Sequence, residues 1–86
     1  MNELLLDKYI KKLNIDHIRQ YAKNNNIKLI NNEDEIIYDY IKKYYKKLYK
    51  NDNNDDIFDQ LKCKLSLNTY NNVLSIYNET KEKIKN

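Results

Sequence analysis

The sequence contains no glycine, no proline and no tryptophan, and it has one cysteine and one histidine among 86 residues. Without glycine it has no phosphate-binding P-loop, no dinucleotide-binding fingerprint and no nucleophile elbow. In each of these motifs the backbone comes so close to a ligand or to a neighbouring segment that a Cβ atom would clash. One cysteine cannot form an intramolecular disulfide, and one cysteine with one histidine cannot complete a four-ligand zinc site. We therefore expect no enzyme, no cofactor and no bound metal.

Asparagine takes over a role that glycine has in most chains. Asn, Lys, Ile and Tyr are abundant here, and their A/T-rich codons indicate an A/T-rich genome. Asparagine tolerates the left-handed backbone conformation better than most other non-glycine residues, so helices in this chain should end at asparagines. Three of the four Asn clusters, which stand at 24–26, 31–32, 51–54 and 71–72, predict breaks between helices.

Apolar residues recur three and four positions apart along most of the chain, as in amphipathic helices. A net charge of +3 with 41% hydrophobic residues indicates a folded chain rather than a disordered one. We predict one all-α domain over residues 1–86, a small bundle of four to five helices with a radius of gyration of about 12 Å and a frayed tail at 81–86. The predicted helices run from Asn2 to Leu13, from an N-cap at Asp16 into the Asn24 to Asn26 run, from Asn32 to Lys50, from Ile57 to Leu65, and from near Ser66 to Asn68 onward, with an extended connector at Ile27 to Ile30.

The long central helix, Asn32 to Lys50, organises the predicted bundle. Asn32 followed by Glu35 resembles a capping box, and the helix begins with acids and ends with lysines, as the helix dipole favours. Tyr38 and Tyr49 are predicted to point outward. The residues predicted to face the core fall within about 100° of one another on a helical wheel, and they are Ile37, Ile41, Tyr44, Tyr45 and Leu48.

Five lysines cover the opposite side of this helix, and they are Lys42, Lys43, Lys46, Lys47 and Lys50. Like charges on one helical face can neutralise phosphates, so these lysines are the candidate nucleic-acid-binding residues. The alternative is a solvated face that the helix dipole explains by itself. Part of its charge could then be quenched by the acidic run that follows, Asp52, Asp55, Asp56 and Asp59.

The acidic run also raises the question of a calcium loop. An EF-hand loop requires a glycine at its turn and a glutamate at its twelfth position, whereas the twelfth position counted from Asp52 is Cys63. We predict no calcium site and interpret Cys63 as a small, half-buried apolar residue. His17 is interpreted as a solvated surface residue rather than a base, because no acid, serine or cysteine stands at helical spacing from it.

Two stretches resemble a known family. The segment Leu13 to Leu29, with its run YAKNNNIKL, and the segment Leu61 to Tyr77 resemble the YqfT-like family of domains of unknown function in Bacillus-type bacteria. That resemblance implies a small cytosolic helical protein and carries over no functional residues. The segment Asp16 to Tyr45 is similar instead to the helix-extended-helix layout of SAP-type modules, which implies nucleic acid as a partner.

The function expected from the sequence is a non-enzymatic interaction module. A thin core should leave some tyrosines in an exposed apolar patch, so we expect a protein partner or a homo-oligomer. The alternative is nucleic-acid binding through the lysine face of the central helix. With no secretory apolar segment and no run of 18 apolar residues, we expect a cytoplasmic protein with neither a membrane partner nor a small-molecule substrate.

Overall fold

Five helices make up the computed structural model, which describes residues 3–51 and 53–84. They are α1 (Glu3–Lys12), α2 (Ile15–Asn24), α3 (Glu33–Lys50), α4 (Asp55–Lys64) and α5 (Leu67–Ile84). Neither described range contains a strand. Helices α1 and α2 pack on α3, α4 packs on α5, and the Cα radius of gyration is 12.5 Å. The predicted all-α bundle is confirmed, while Asn2, Asp52 and positions 85–86, which also entered the predictions, lie outside the described residues.

Two asparagines adopt the left-handed backbone conformation at turns, as expected for a chain without glycine. Asn26 and Asn31 have φ angles of 58° and 52°, in the left-handed region. Between them residues 27–30 form neither helix nor strand, and Ile27 and Leu29 are half-buried. The break after α3 is different, because its C-cap residue Asn51 is extended with φ −100°.

Three helix starts differ from the prediction. The capping box predicted at Asn32 is wrong, because the Asn32 side chain makes no capping hydrogen bond. The capping box instead opens α2, where Asn14 Oδ1 accepts the His17 N–H and His17 Nδ1 accepts the Asn14 N–H, both at 3.1 Å. The N-cap of α2 is therefore Asn14 and not the predicted Asp16. Helix α4 begins at Asp55, two residues earlier than predicted, so the acidic linker is shorter and part of it forms the first helical turn.

Helix α5 closes the C-terminal end of α3. The Lys81 ammonium donates to the backbone carbonyls of Leu48, Tyr49 and Asn51 at 2.6, 3.0 and 2.7 Å. Carbonyls at a helix C-terminus have no partner within the helix, so a cation there satisfies acceptors that would otherwise face solvent. Residues 81–84 continue α5 where the sequence predicted the start of a frayed tail.

Most of the buried apolar side chains lie on α4 and just after it, whereas the apolar side chains of α3 are half-buried. Four buried side chains form the core cluster, and they are Ile57, Phe58, Leu61 and Leu65. Half-buried residues of the two long helices surround this cluster: Ile36, Ile37, Tyr40, Tyr44 and Leu48 from α3, and Tyr70, Val73, Leu74 and Tyr77 from α5. Helix α3 therefore touches the core without lying at its centre.

The other flank of α3 faces α1. Tyr45 donates to Asp7 Oδ1 at 2.6 Å, and Tyr38 donates to the carbonyl oxygen of Leu13 at 3.3 Å. The prediction that Tyr38 points outward is wrong, and Tyr45 contacts α1 rather than the α4 core. Both differences have one cause, since α3 is covered from two sides and not from one.

A buried carboxylate joins α3 to the start of α5. Glu33 is only 3% exposed. Its Oε1 accepts the Ile30 N–H at 2.9 Å and the Thr69 hydroxyl at 2.8 Å, and its Oε2 accepts the Ser66 N–H at 2.7 Å. Burial raises the pKa of Glu33, but the hydrogen bonds from Ile30, Ser66 and Thr69 outweigh burial and hold the pKa below its usual value. Glu33 therefore stays ionised inside the fold.

Candidate functional site

An apolar groove opens between α1 and α2 on one side and α5 on the other, with α3 as its floor. Its volume is about 380 Å³. The α1 and α2 wall consists of Tyr9, Ile10, Leu13, His17, Ile18, Tyr21 and Ala22. The floor and the α5 wall consist of Ile27, Leu29, Ile37, Ile41, Thr69, Val73, Ile76 and Thr80.

Helical spacing places these side chains in the groove. On α5 the lining residues follow one another at intervals of three or four positions, as residues on one side of a helix do. The same holds on α2, where Ile18 is followed by Tyr21 and Ala22. Ile10, Ala22 and Thr69 are buried, whereas the other lining residues keep solvent exposure because no described element closes over α3 here.

Charged side chains do not line the groove. Among the described residues its fifteen lining positions include no Lys, Arg, Asp or Glu, although such residues make up 34% of the sequence. Depletion of charge with retention of aromatic residues is typical of the centre of a protein–protein interface. Tyr9 and Tyr21 are the large aromatic residues at the rim, and they are 65% and 46% exposed.

Two polar side chains that line the groove are already engaged within the chain. His17 Nδ1 accepts a backbone N–H in the α2 capping box, and the Thr69 hydroxyl donates to Glu33. A hydroxyl bonded to a carboxylate is the first pair of a nucleophile-activating relay, but a carboxylate with a lowered pKa is a weak base. Thr69 is also fully buried. We therefore read the pair as structural.

Three of the five candidate lysines bind other parts of the chain. Lys42 donates to the carbonyl oxygen of Ile10 at 2.6 Å. Lys47 forms an ion pair with Asp56 at 2.7 Å, and Lys50 forms one with Glu3 at 3.2 Å. Their charge is thus shared with α1 and α4 rather than presented along one open face.

The remaining two candidate lysines lie beside tyrosine rings. The Lys46 ammonium lies 6.0 Å from the centre of the Tyr45 ring, and the Lys43 ammonium lies 5.3 Å from that of Tyr44. A lysine that sequence analysis did not single out joins Lys43, because Lys64 of α4 lies 5.5 Å from the Tyr40 ring. Since Tyr40 and Tyr44 contact each other with 5.4 Å between ring centres, the two lysines flank one aromatic pair.

One aspartate of the acidic run pairs with a lysine of α3. This agrees with the interpretation of the lysines as a solvated face whose charge the acidic run partly neutralises. Asp56 pairs with Lys47, and this hydrogen bond lowers the pKa of the Asp56 carboxyl. Asp55 and Asp59 are exposed, whereas Asp52 lies outside the described residues. Within the described ranges no group of three or more His, Cys, Asp or Glu side chains could hold a metal ion.

The single cysteine and the single histidine both lie at the surface. Cys63 is exposed, so the prediction of a half-buried residue is wrong. Cys63 lies on the side of α4 that faces away from the core cluster, to which Leu61 and Leu65 belong. His17 lies at the surface as predicted, but it also belongs to the capping box of α2.

Neither the groove nor the role of Glu33 was predicted from the sequence. The available signal for the groove was the number of apolar residues: α1, α2 and the connector carry more of them than one half of a thin bundle can bury. Glu33 gave no such signal, because an acid in the first turn of a helix is adequately explained by the helix dipole.

Comparisons with known proteins do not identify a family for this chain. Of the helices in the described part of the chain, none combines the length and the apolar character needed to cross a membrane. The resemblances to the YqfT-like family and to SAP-type modules stay predictions. The chain matches no protein-family model, no curated protein and no solved structure.

Proposed function

We propose that this protein is a non-enzymatic interaction module and that the groove between α1, α2 and α5 binds the apolar face of a helix from a protein partner. One observation carries the proposal: the groove lining has no Lys, Arg, Asp or Glu in a chain that is 34% charged. An apolar cleft of this kind is stabilised by a partner that removes its surface from water.

The shape of the groove suits a helix. Helix-binding grooves receive anchor side chains spaced at i, i+3 or i+4, and i+7 along one helical face. The floor, formed by Ile37 and Ile41, lies between two helical walls, and a volume of about 380 Å³ holds a few aliphatic side chains. The walls are well fixed, since Glu33 ties α3 to the start of α5 and the ion pair of Arg19 with Asp34 at 2.7 Å ties α2 to α3.

A small-molecule substrate is less well supported. Small-molecule pockets usually combine apolar walls with a few convergent polar groups that orient the ligand. In this groove His17 Nδ1 and the Thr69 hydroxyl are held by Asn14 and Glu33. The other polar lining side chains, those of Tyr9, Tyr21 and Thr80, are exposed rather than enclosed. A protein partner needs no such orienting group, because shape and apolar area can fix its position.

Photo-crosslinking in cells tests the proposal. A benzoylphenylalanine placed at Tyr21, on the groove rim, should give a covalent adduct with a protein, which can be another protein or a second copy of this chain. The same amino acid at Lys62, exposed on α4, is the matched control and should give no such adduct. If position 21 gives no protein adduct, or the same adducts as position 62, the proposed function is wrong.

A second candidate function is nucleic-acid binding through the lysine face, and one arrangement favours it. Lys43 and Lys64 flank the Tyr40–Tyr44 pair, which combines phosphate-binding charge with aromatic surface. Because Lys42, Lys47 and Lys50 bind within the chain, we now expect two or three phosphate contacts, made by Lys43, Lys46 and Lys64, rather than five.

Salt dependence tests this second candidate. Two or three contacts give a log–log slope of duplex affinity against salt of about −2 to −3, from about 0.9 per phosphate. Lys43→Glu with Lys64→Glu should abolish that binding, whereas Lys23→Glu with Lys62→Glu makes the same charge change at exposed positions elsewhere and should preserve most of it. A flat salt response, or equal losses in the two double variants, would eliminate the candidate.

A further inference from the structure

We propose that the partner in the groove is a second copy of this chain, in a two-fold dimer that places the Leu5–Tyr9 edge of α1 in the groove of the other copy. This inference rests on the proposed function and names its partner. It is carried by three features of the groove face: an apolar ridge beside the groove, opposite charges on its two rims, and room for an interface of standard size.

The apolar ridge lies directly beside the groove. Tyr9 lines the groove, and Leu5, four residues earlier, lies on the same side of α1. The two residues are 65% and 55% exposed. One face of the molecule thus carries both a ridge and a groove, and a two-fold axis requires such self-complementarity, because each copy must offer the surface that the other one needs.

The two rims of the groove carry opposite charge. On α1, Lys8 and Lys12 each follow a ridge residue by three positions, so they flank the ridge. On α5, Glu79 follows the lining residue Ile76 by three positions. All three side chains are exposed. In a two-fold dimer Lys8 and Lys12 of each copy meet Glu79 of its partner, and this contact occurs twice.

A dimer interface of standard size fits on one side of the molecule. Such an interface buries about 800 Å² on each partner. The chain has 6301 Å² of accessible surface and measures 33 × 26 × 21 Å, so this interface takes about one eighth of the surface. A foreign helix would fill the groove, but it would not bring Lys8 and Lys12 to Glu79 as a second copy does.

Sedimentation equilibrium of the purified chain from about 1 to about 100 μM tests the dimer, since this range spans dissociation constants typical of small interfaces. The wild type should pass from the mass of one chain, 10.5 kDa, towards twice that mass. Tyr9→Glu should weaken the dimer more than about tenfold, because it places a charge in the centre of the interface. The matched control is Leu4→Glu, which makes the same kind of change on α1 at a side chain that is 74% exposed and does not line the groove.

Charge reversal gives an independent test of the rims. Lys12→Glu and Glu79→Lys should each weaken the dimer by roughly two- to fivefold per contact, and the double variant should restore the wild-type affinity. Circular dichroism checks that each variant is folded. If Tyr9→Glu unfolds, Tyr21→Glu on the same wall of the groove takes its place.

The dimer is overturned by a wild type that keeps the mass of one chain throughout, by a Tyr9→Glu variant that associates like the wild type, or by equal losses in Leu4→Glu and Tyr9→Glu. The proposed function fails separately, when the crosslinker at Tyr21 captures no protein. A monomeric wild type whose Tyr21 crosslinks to a different protein would therefore reject the second copy and retain the interaction module.

Discussion

The Oε2 atom of Glu33 accepts the backbone N–H of Ser66 at 2.7 Å, across 33 positions of sequence. Ser66 directly precedes α5, and its hydroxyl oxygen lies 3.4 Å from the N–H of Thr69, as in an N-cap. Glu33 thus supplies from another helix the acceptor for the N-cap N–H that an N3 glutamate supplies in a capping box. The first turns of α3 and α5 are fixed to each other by this one side chain.

Replacement of Glu33 by Ala should destabilise the fold strongly. Three buried or half-buried donors, from Ile30, Ser66 and Thr69, would lose their acceptor, and one unsatisfied buried donor costs about 1 to 3 kcal/mol. We expect a loss of about 2 to 4 kcal/mol in urea unfolding. Glu35→Ala removes an exposed acid from the same helical turn and should cost less than about 1 kcal/mol, so equal losses would contradict the role of Glu33.

Acid should weaken the fold through the same carboxylate. The pKa of Glu33 in the folded state lies below its usual value of 4.5, so the stability from the ionised form is present above pH 4.5 and is lost as pH falls through the folded-state pKa. Glu33→Gln does not titrate. The difference in free energy of unfolding between wild type and Glu33→Gln should therefore be largest at neutral pH and shrink below pH 4.5. A difference that stays constant from pH 7 to pH 3 would be inconsistent with this account.

Replacement of Lys81 by Met should loosen the end of α3. Methionine keeps most of the aliphatic stem but removes the ammonium that binds the carbonyls of Leu48, Tyr49 and Asn51, at an expected cost of about 1 to 2 kcal/mol. Amide exchange at Asn51, whose N–H bonds to the Lys47 carbonyl, should accelerate. Lys62→Met is the control, since Lys62 is exposed on α4, and we expect less than about 0.5 kcal/mol there. Similar effects in both variants would show that Lys81 does not close the helix.

Two of the asparagine N-caps, Asn14 and Asn32, should respond differently to alanine. Asn14 makes a side-chain capping bond and Asn32 makes none. Asn14→Ala should therefore cost about 1 kcal/mol in thermal or urea unfolding, whereas Asn32→Ala should change stability by a few tenths. The reverse order would mean that the capping box stands at Asn32, where the sequence pattern had placed it.

Local patterns predicted the helices well and the contacts between them poorly. Spacing at three and four positions gave five helices whose ends agree with the structure within about two residues, except at the tail. The same reasoning gave α3 one apolar face and one water-facing side, and it placed Tyr38 outward. It could not find that Ile10 and Leu13 would bind Lys42 and Tyr38 on the supposed water-facing side. Nor could it find that Asp7 would bind Tyr45, which was expected in the core.

The candidate site shows the same division. The sequence predicted that the lysines of α3 cover one face of the helix, but it gave no indication that the partners of Lys47 and Lys50 lie on α4 and α1. The groove was not predicted, because whether an amphipathic helix buries its apolar side or leaves it lining a cleft depends on how closely its neighbours approach.

By itself the sequence determined the all-α class, the approximate helix boundaries and the asparagines that replace glycine at Asn26 and Asn31, because these depend on residues within about four positions of one another. The tertiary structure alone decided that Glu33 is buried and ionised, that three lysines of α3 are paired, and that an uncharged groove stays open beside α1. Burial and pairing are set by residues distant in the chain, and their contribution appears only when the helices have packed.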